Sequence, residues 1–379
     1  MFGRAYYYNN NSIKNKNFDI KSIFHLPNKI TLALLTIIFT SILCLYSSKG
    51  GNLYPWAIKQ IFFACFSLSI FALIASVNIK LIYKYAYHIL FISIILLILV
   101  IPLGRRTLGA ARWIDFGFLK FQPSELAKIA VIISLSKYFS SIKIKNIYSL
   151  TGNICAILLV FPIICLVVIQ PDLATTIIIT CLVFIMMFAI GVAKSKFIYL
   201  AVTGIFCAPI IWLKFLKDYQ KLRIINFLFP ENDPLGSGYN VIQSKIAIGS
   251  GGLFGKGFLK GTQGQLNFLP EHHTDFIFTI IGEEFGFIGA LVIIGLYLYI
   301  VFYGLNLTKK ISSSFARLLC IGSSSLIFLH MFVNIGMTIS LMPVAGIPLI
   351  MLSYGGSHLI IGTICVAIIA NIDIHKKSL

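Results

Sequence analysis

Four of the chain's twelve acidic residues, Glu271, Asp275, Glu283 and Glu284, fall in one stretch, FLPEHHTDFIFTIIGEEFGFIG at 268–289. It runs from a loop with a proline and two histidines straight into apolar sequence. A carboxylate at or below a membrane surface is costly and is retained where it does chemistry. Asp275 stands at the mouth of the apolar run and is the candidate centre of an extracytoplasmic active site. A carboxylate there can accept a proton or hold a cation. Glu283 and Glu284 are expected about 12–14 Å deeper at 1.5 Å per residue, paired within a helix bundle. His272 and His273 raise the idea of a metal with Glu271 and Asp275. Their spacing is not that of HExxH, and adjacent side chains point apart, so they read as interfacial polar residues.

Other polar residues interrupt apolar sequence. Glu125 and Lys128 are spaced i, i+3, on one face of a helix opened by Pro123. They read as an internal salt bridge, compatible with lining a polar cavity. Asp172, in Gln170-Pro171-Asp172, is either a helix cap or a polar contact in the site. Arg223, near Lys217 and Lys221, is either a solvated charge or a phosphate ligand. The segment 236–265 is dense in glycine, with Lys256 and Lys260 interleaved. Glycines at 249, 251, 252, 255, 257 and 261 would let the backbone turn tightly and approach a ligand. Within it, 241–248 has the pattern of a short interfacial helix and carries Gln243 and Ser244 as cavity candidates. Asn334 lies in MFVNIGM. LMPVAGIPLIMLSYGG at 341–356 holds two prolines and three glycines. It is either a plain outer loop or a re-entrant segment, which is tolerated at membrane depth only inside protein or beside a water-filled cavity. Ser353, Tyr354 and Ser357 would line that cavity, and His358 reads as interfacial.

The elements that must position these residues follow from composition. Hydrophobic residues make up 58% of the chain and charged residues 11%, against about a quarter charged in soluble domains. That excludes an ordinary soluble enzyme and indicates an all-α polytopic membrane protein. The net charge of +19 is explained by basic cytoplasmic loops rather than by a nucleic-acid partner. The eight cysteines lie in apolar runs without a CxxC pair. They read as small core residues, with no disulfide framework or metal cluster. The polar, basic N-terminus does not have the form of a cleavable signal peptide.

Ten apolar runs are long enough to span a bilayer: 30–48, 56–77, 86–103, 124–140, 151–169, 172–192, 197–214, 275–305, 315–341 and 355–372. The eighth and ninth exceed the need, so they tilt or project. With the N-terminus inside, cytoplasmic segments hold seventeen Lys and Arg and outer segments twelve. This supports an N-in, C-in topology. A tail at 1–29 and another at 373–379 are then cytoplasmic, and 30–372 is the membrane domain. A large outer loop, 214–273, lies between the seventh and eighth helices, longer than a plain connector. Eleven of the twelve outer cations fall in just two loops, 104–121 and 214–273. Arg105, Arg106, Arg112 and Lys120 in the shorter one run against the positive-inside rule. Such a surface suits an anionic ligand such as a diphosphate.

Five motifs occur in order: GRRTLGAARWIDFGFLKFQPSELAK, QPDLATT, FPENDPLGSGYNVIQSKIAIGSGGLFGKG, GTQGQLNFLPEHHTDFIFTIIGEEFGFIG and NIGMTISLMPVAGIPLIMLSYGGS. Together they resemble the SEDS family (shape, elongation, division and sporulation) over about residues 30–372. GTQGQLNFLPE points to its rod-elongation branch rather than its division branch. The resemblance implies a peptidoglycan glycosyltransferase that polymerises lipid II at the outer face of the cytoplasmic (inner) membrane. It implies a class B penicillin-binding protein as partner, alongside elongation-complex membrane proteins. The family's essential acid matches Asp275, and its intramembrane Glu–Lys pair matches Glu125 and Lys128. Met342 and His358 depart from the usual pattern, the second within the last helix.

On that reading Asp275 deprotonates the 4-hydroxyl of the acceptor sugar. The β-linkage forms from an α-linked diphosphate donor by inversion, without a covalent intermediate. Arg112, Arg223, Lys256 or a divalent cation, Mg or Mn, stabilises the departing diphosphate. Asp275 would be that cation's ligand in the alternative role. A lipid II flippase is the competing function, since ion pairs and broken helices also suit transporters.

Overall fold

The computed structural model describes residues 26–376 apart from 108–109, 116, 118–119, 144–146, 148, 230–236 and 263–272. The described helices begin with α1 (Asn28–Ser47), α2 (Trp56–Ser76), α3 (Ile79–Leu103) and α4 (Pro123–Ser141). Then come α5 (Leu150–Ile169), α6 (Leu173–Ile190) and α7 (Lys194–Ile210), which continues as a π turn over Ile211–Phe215. Next are α8 (Asp218–Leu228), α9 (Ser237–Ser250), α10 (Ile277–Glu284) and α11 (Gly286–Leu307). The last two are α12 (Ser314–Thr338) and α13 (Gly356–His375).

Eight helices, α1, α2, α3, α5, α6, α11, α12 and α13, are long and apolar enough to cross a membrane. The chain is therefore a multi-pass helical membrane protein. The other two expected spans coincide with α4 and α7. The first carries Glu125, Lys128 and Lys137, and the second has 17 residues before its π turn.

Helix α4 is the centre of the bundle. It packs on α3, α6 and α12, and nearly every residue from Pro123 to Ser136 is buried. It is buried all round, so it shows almost no amphipathic stripe. α13 lies between α2 and α12. Asn371 on α13 donates to the main-chain oxygens of Ile74, Ala75 and Val77, satisfying carbonyls that the end of α2 leaves open. Cys44, Cys320 and Cys365 are buried, but Cys65 and Cys155 are exposed on the bundle exterior. An apolar run in a membrane faces lipid as well as core, so the expectation of core cysteines fails for those two.

Two features depart from the expected architecture. The 104–121 connection forms a three-stranded antiparallel sheet of β1 (Arg105–Thr107), β2 (Ala110–Asp115) and β3 (Lys120–Phe121). Arg105 pairs with Trp113, and Ile114 with Phe121; Trp, Ile, Thr and Phe favour strands. Gly117, at φ +87°, donates its amide to Asp115 in the second turn.

The run 275–305 is not one helix. It breaks at Phe285–Gly286 into α10 and α11, with Gly286 at φ +67°. A Cβ at Gly286 would overlap the amide nitrogen of Gly255. The Ser47 hydroxyl at the end of α1 donates to Glu284. Glu283 and Glu284 therefore lie level with the end of α1, not deep in the bundle. α10 packs on α9 beside the helix ends instead of descending.

Candidate active site

Residues 273–276 form a turn that leads into α10, and Asp275 is half-buried in it. The turn is held by its main chain. Asn334 Nδ2 donates to the main-chain oxygen of Asp275 at 2.8 Å and to that of Ile347 at 2.7 Å. Ser353 Oγ donates to Thr274 O at 2.6 Å and accepts from Leu349 N at 2.8 Å. Tyr354 N donates to His273 O at 3.0 Å. The His273 ring stacks on Trp56 at 4.1 Å, and Tyr354 meets Trp56 edge-on at 4.8 Å. Gln60 on α2 donates to Ser353 O at 3.3 Å and accepts from Gly355 N at 3.3 Å. Asn334, Ser353 and Tyr354 are thus all brought to the Asp275 turn. His272 and Glu271 lie outside the described residues.

The segment between α12 and α13 folds back along α12. The main-chain oxygen of Pro348 reaches His330, two turns before the end of that helix, or about 12 Å along its axis. This is the re-entrant form. Arg223 on α8 donates from Nη1 to Ala345 O at 3.1 Å. Next to it, Gly346 adopts φ +69°. A Cβ there would lie 3.5 Å from Asp275 Oδ2 and 3.8 Å from Arg223 Nη1. A carboxylate and a guanidinium therefore converge on one glycine.

Beneath them lies a buried polar chain. Lys128 Nζ is 2.6 Å from Glu125 Oε1 and 2.8 Å from His330 Nε2. His358 Nδ1 is 3.3 Å from the same Glu125 oxygen. His358 is not interfacial. It is buried at the start of α13, with its ring edge-on to Trp113 of β2 at 6.0 Å. Burial of Glu125 requires partners; Lys128 supplies the hydrogen bond, while His358 Nδ1 approaches without hydrogen-bonding geometry. Ser357 donates to Lys120 O at 3.1 Å and accepts from Gln122 N at 3.3 Å, tying the sheet to α13 and α4.

Several expected site residues sit elsewhere. Arg112 donates from Nε to Gln170 O at 3.2 Å and from Nη2 to Pro171 O. It latches β2 onto the turn between α5 and α6. Asp172 caps α6, accepting from Thr175 N at 3.2 Å and Thr175 Oγ1 at 2.9 Å. Ser244 donates to Thr338 O at 2.6 Å, closing the end of α12. Gln243, its neighbour in α9, is half-buried.

Lys256 pairs with Glu283 at 2.7 Å, and Thr262 adds an amide at 2.7 Å and a hydroxyl at 2.9 Å to the same carboxylate. The glycines around Lys256 approach this chain's own backbone. A Cβ at Gly251 or Gly255 would overlap the carbonyls of Gly282 or Glu284. Lys256 N and Gly257 N in turn bond Glu283 O at 2.9 Å and Glu284 O at 3.1 Å. These carbonyls end α10 and need donors, which the segment supplies. Burial pushes the Glu284 carboxyl up from its ordinary value, opposed by the Ser47 hydroxyl and the amides of Gly261 and Leu259.

The cell cycle protein family of FtsW, RodA and SpoVE matches residues 22–378. The chain belongs to this family. Peptidoglycan glycosyltransferase MrdB of Escherichia coli strain K12 is 38% identical over 355 residues, spanning 94% of this chain and 95% of that one. Stage V sporulation protein E of Bacillus subtilis strain 168 is 34% identical over 358 residues, spanning 92% and 96%. Among solved structures, a chain of a peptidoglycan synthase complex superposes with a TM-score of 0.79 at 28% identity, covering 93% of this chain and 99% of that one. Rod shape determining protein RodA of Thermus thermophilus superposes with a TM-score of 0.68 at 24% identity, covering 93% and 97%. The latter is a likeness of fold.

In this SEDS-family bundle, sequence reasoning missed His330, Gly346, Gln60 and Trp56. His330 had a readable signal, since it is polar in an apolar run and one turn before Asn334. Gly346 had none, because its role depends on what surrounds it.

Proposed function

We propose that this chain is a peptidoglycan glycosyltransferase that polymerises lipid II into glycan strands during cell elongation and rod-shape maintenance. The observation that carries the reading is the convergence of Asp275 and Arg223 on Gly346, in a family whose relatives include the glycosyltransferase MrdB. Asp275 takes the proton of the acceptor 4-hydroxyl. The freed oxygen forms its bond to the donor C1 as the bond from C1 to the diphosphate breaks, inverting that carbon. Arg223 meets the charge that develops on the leaving diphosphate. Arg223 is given this role because its guanidinium stands with Asp275 at Gly346, whereas Arg112 and Lys256 stand against Pro171 and Glu283.

A bound Mg or Mn would supply further charge to the diphosphate, and Asp275 is the carboxylate that could hold it. Among the described residues, no three His, Cys, Asp or Glu side chains gather as a metal site.

The topology that fits is ten spans, counting α4 and α7, with both termini inside and the Asp275 end of the bundle outside the cytoplasmic membrane. Seventeen Lys and Arg on one side against twelve on the other support that direction. The partner would be a class B penicillin-binding protein, with other elongation-complex membrane proteins around it. A neighbour from a complex that coordinates polymerization and crosslinking supports this.

The test is polymerisation of detergent-solubilised lipid II by purified protein, wild type against Asp275→Ala, with and without EDTA. Glycan strands from wild type and none from the variant are expected. Normal polymer from Asp275→Ala would remove both roles given to that residue. Movement of labelled lipid II across liposomes without any polymer would favour the flippase instead.

A further inference from the structure

The non-helical stretch beside Asp275 places three main-chain oxygens where no helix supplies donors. Each receives one from a side chain. Arg223 Nη1 donates to Ala345 O at 3.1 Å, Asn334 Nδ2 to Ile347 O at 2.7 Å, and His330 Nδ1 lies 3.2 Å from Pro348 O. Irregular backbone at membrane depth persists only when such groups are satisfied. Gly346, which meets Asp275, sits between the first two of these anchors.

His330 differs from the other anchors in what holds its far side. Its Nε2 lies 2.8 Å from Lys128 Nζ, which is itself 2.6 Å from Glu125 Oε1. A lysine paired with a carboxylate has only protons to give. Nε2 must therefore accept, so the ring proton sits on Nδ1 and is donated to Pro348 O. Only the neutral ring in this one tautomer satisfies both neighbours.

We propose that His330 is a positioning residue for the reaction: it couples the buried Glu125–Lys128 pair to the Asp275 turn through the Ile347–Pro348 backbone. The coupled path runs from Glu125 and Lys128 on α4 to His330 on α12. It then passes along the re-entrant backbone to Asn334, which also holds Asp275 O at 2.8 Å. The ion pair thereby fixes where the Asp275 carboxylate stands, without touching substrate. This inference rests on the reading of Asp275 as the reacting carboxylate.

The experiment measures initial rates of lipid II polymerisation against lipid II concentration. His330→Phe keeps a ring but has no hydrogen-bonding atom. It is expected to lower kcat by about 100-fold, the scale of a 1 Å misplacement, with KM little changed. His330→Gln carries an amide oxygen where Nε2 stood and is expected to recover most of the rate. In a Lys128→Met background, His330→Phe should cost far less than in wild type, because the coupling is already broken.

Wild-type kcat in His330→Phe, or losses from the two variants that simply multiply, would overturn the proposal. Should His330→Phe not fold, His330→Gln and His330→Asn read the same contact, since asparagine reaches the Pro348 side but not Lys128. Equal rates in that pair would overturn it as well. Activity in Asp275→Ala would refute the base or cation role of Asp275 whatever His330 does. An inactive Asp275→Ala beside a fully active His330→Phe would refute this inference alone.

Discussion

Asp275 and Arg223 meet at the same glycine. A Cβ on Gly346 would stand 3.5 Å from Asp275 Oδ2 and 3.8 Å from Arg223 Nη1. The two groups arrive from different elements, one on the turn before α10 and the other on α8. They share a floor of backbone on which a Cβ would make van der Waals contact with both groups. Gly346 also has φ +69°, where an L-residue costs about 1–2 kcal/mol. Gly346→Ala should therefore reduce polymerisation at least about tenfold, as geometry at the reacting group is disturbed. Lipid II polymer on gels, normalised to folded protein, checks this. An unchanged rate would mean the glycine is incidental.

Arg223 offers a second measurement. Its Nη1 serves Ala345 O, and its fork can also present donors to a diphosphate. Arg223→Ala should lower kcat by about 100- to 1000-fold, the scale of losing one preorganised donor to developing charge. Arg223→Lys keeps the charge but loses the planar fork, so its rate should fall between the two. Equal activity in Lys and Arg forms would show that charge alone matters.

What was legible in the sequence had a local signature. Asp275, Asn334 and Ser353 are polar residues in apolar surroundings, and membrane burial makes such residues conspicuous. Eight of the ten expected spans were legible as helices long and apolar enough to cross a membrane, because apolar length alone is diagnostic. The partners that Lys256 and Arg112 take were not legible, because a sequence shows a charge but not what it meets. Glu283 lies 27 residues beyond Lys256, and Pro171 lies 59 beyond Arg112. The glycines at 251 and 255 were assigned to a ligand for the same reason, although their neighbours are the carbonyls that end α10. The break at Gly286 had a local signal, two acids at 283–284 followed closely by a glycine, which the reading of 275–305 as one apolar run passed over. The short strands at 105–121 span too few residues for a period-two pattern to emerge.

Glu284 makes stability depend on pH in a definite direction. It precedes the membrane span that starts at Gly286, and burial raises its carboxyl above the ordinary 4.5. A carboxyl whose folded value is raised favours the fold most when protonated. That contribution is full below about pH 4.5, the unfolded value, and is lost as pH rises through the folded value. Glu284→Gln keeps an oxygen for the Ser47 hydroxyl and removes the buried charge. Its thermal unfolding midpoint in detergent should fall less than that of wild type as pH is raised from about 4.5 to neutrality. Parallel curves for the two proteins would refute the assignment.

Lys256 separates a structural pair from a substrate ligand. Glu283 is 2% exposed and Lys256 28% exposed, and they meet at 2.7 Å. Removing one partner of a buried pair costs about 3–5 kcal/mol, and the partial exposure of Lys256 brings the expected loss below that. The amide and hydroxyl of Thr262 remain to hold the carboxylate, which reduces it further. Lys256→Met should therefore lower the unfolding midpoint in detergent while leaving KM for lipid II unchanged in the folded fraction. Adding Glu283→Gln should return most of the lost stability, because the stranded charge is gone. A diphosphate ligand would behave in the opposite way, with a raised KM, an unchanged midpoint and no rescue by the second substitution. Midpoint and KM, measured on the same three preparations, decide between the two roles.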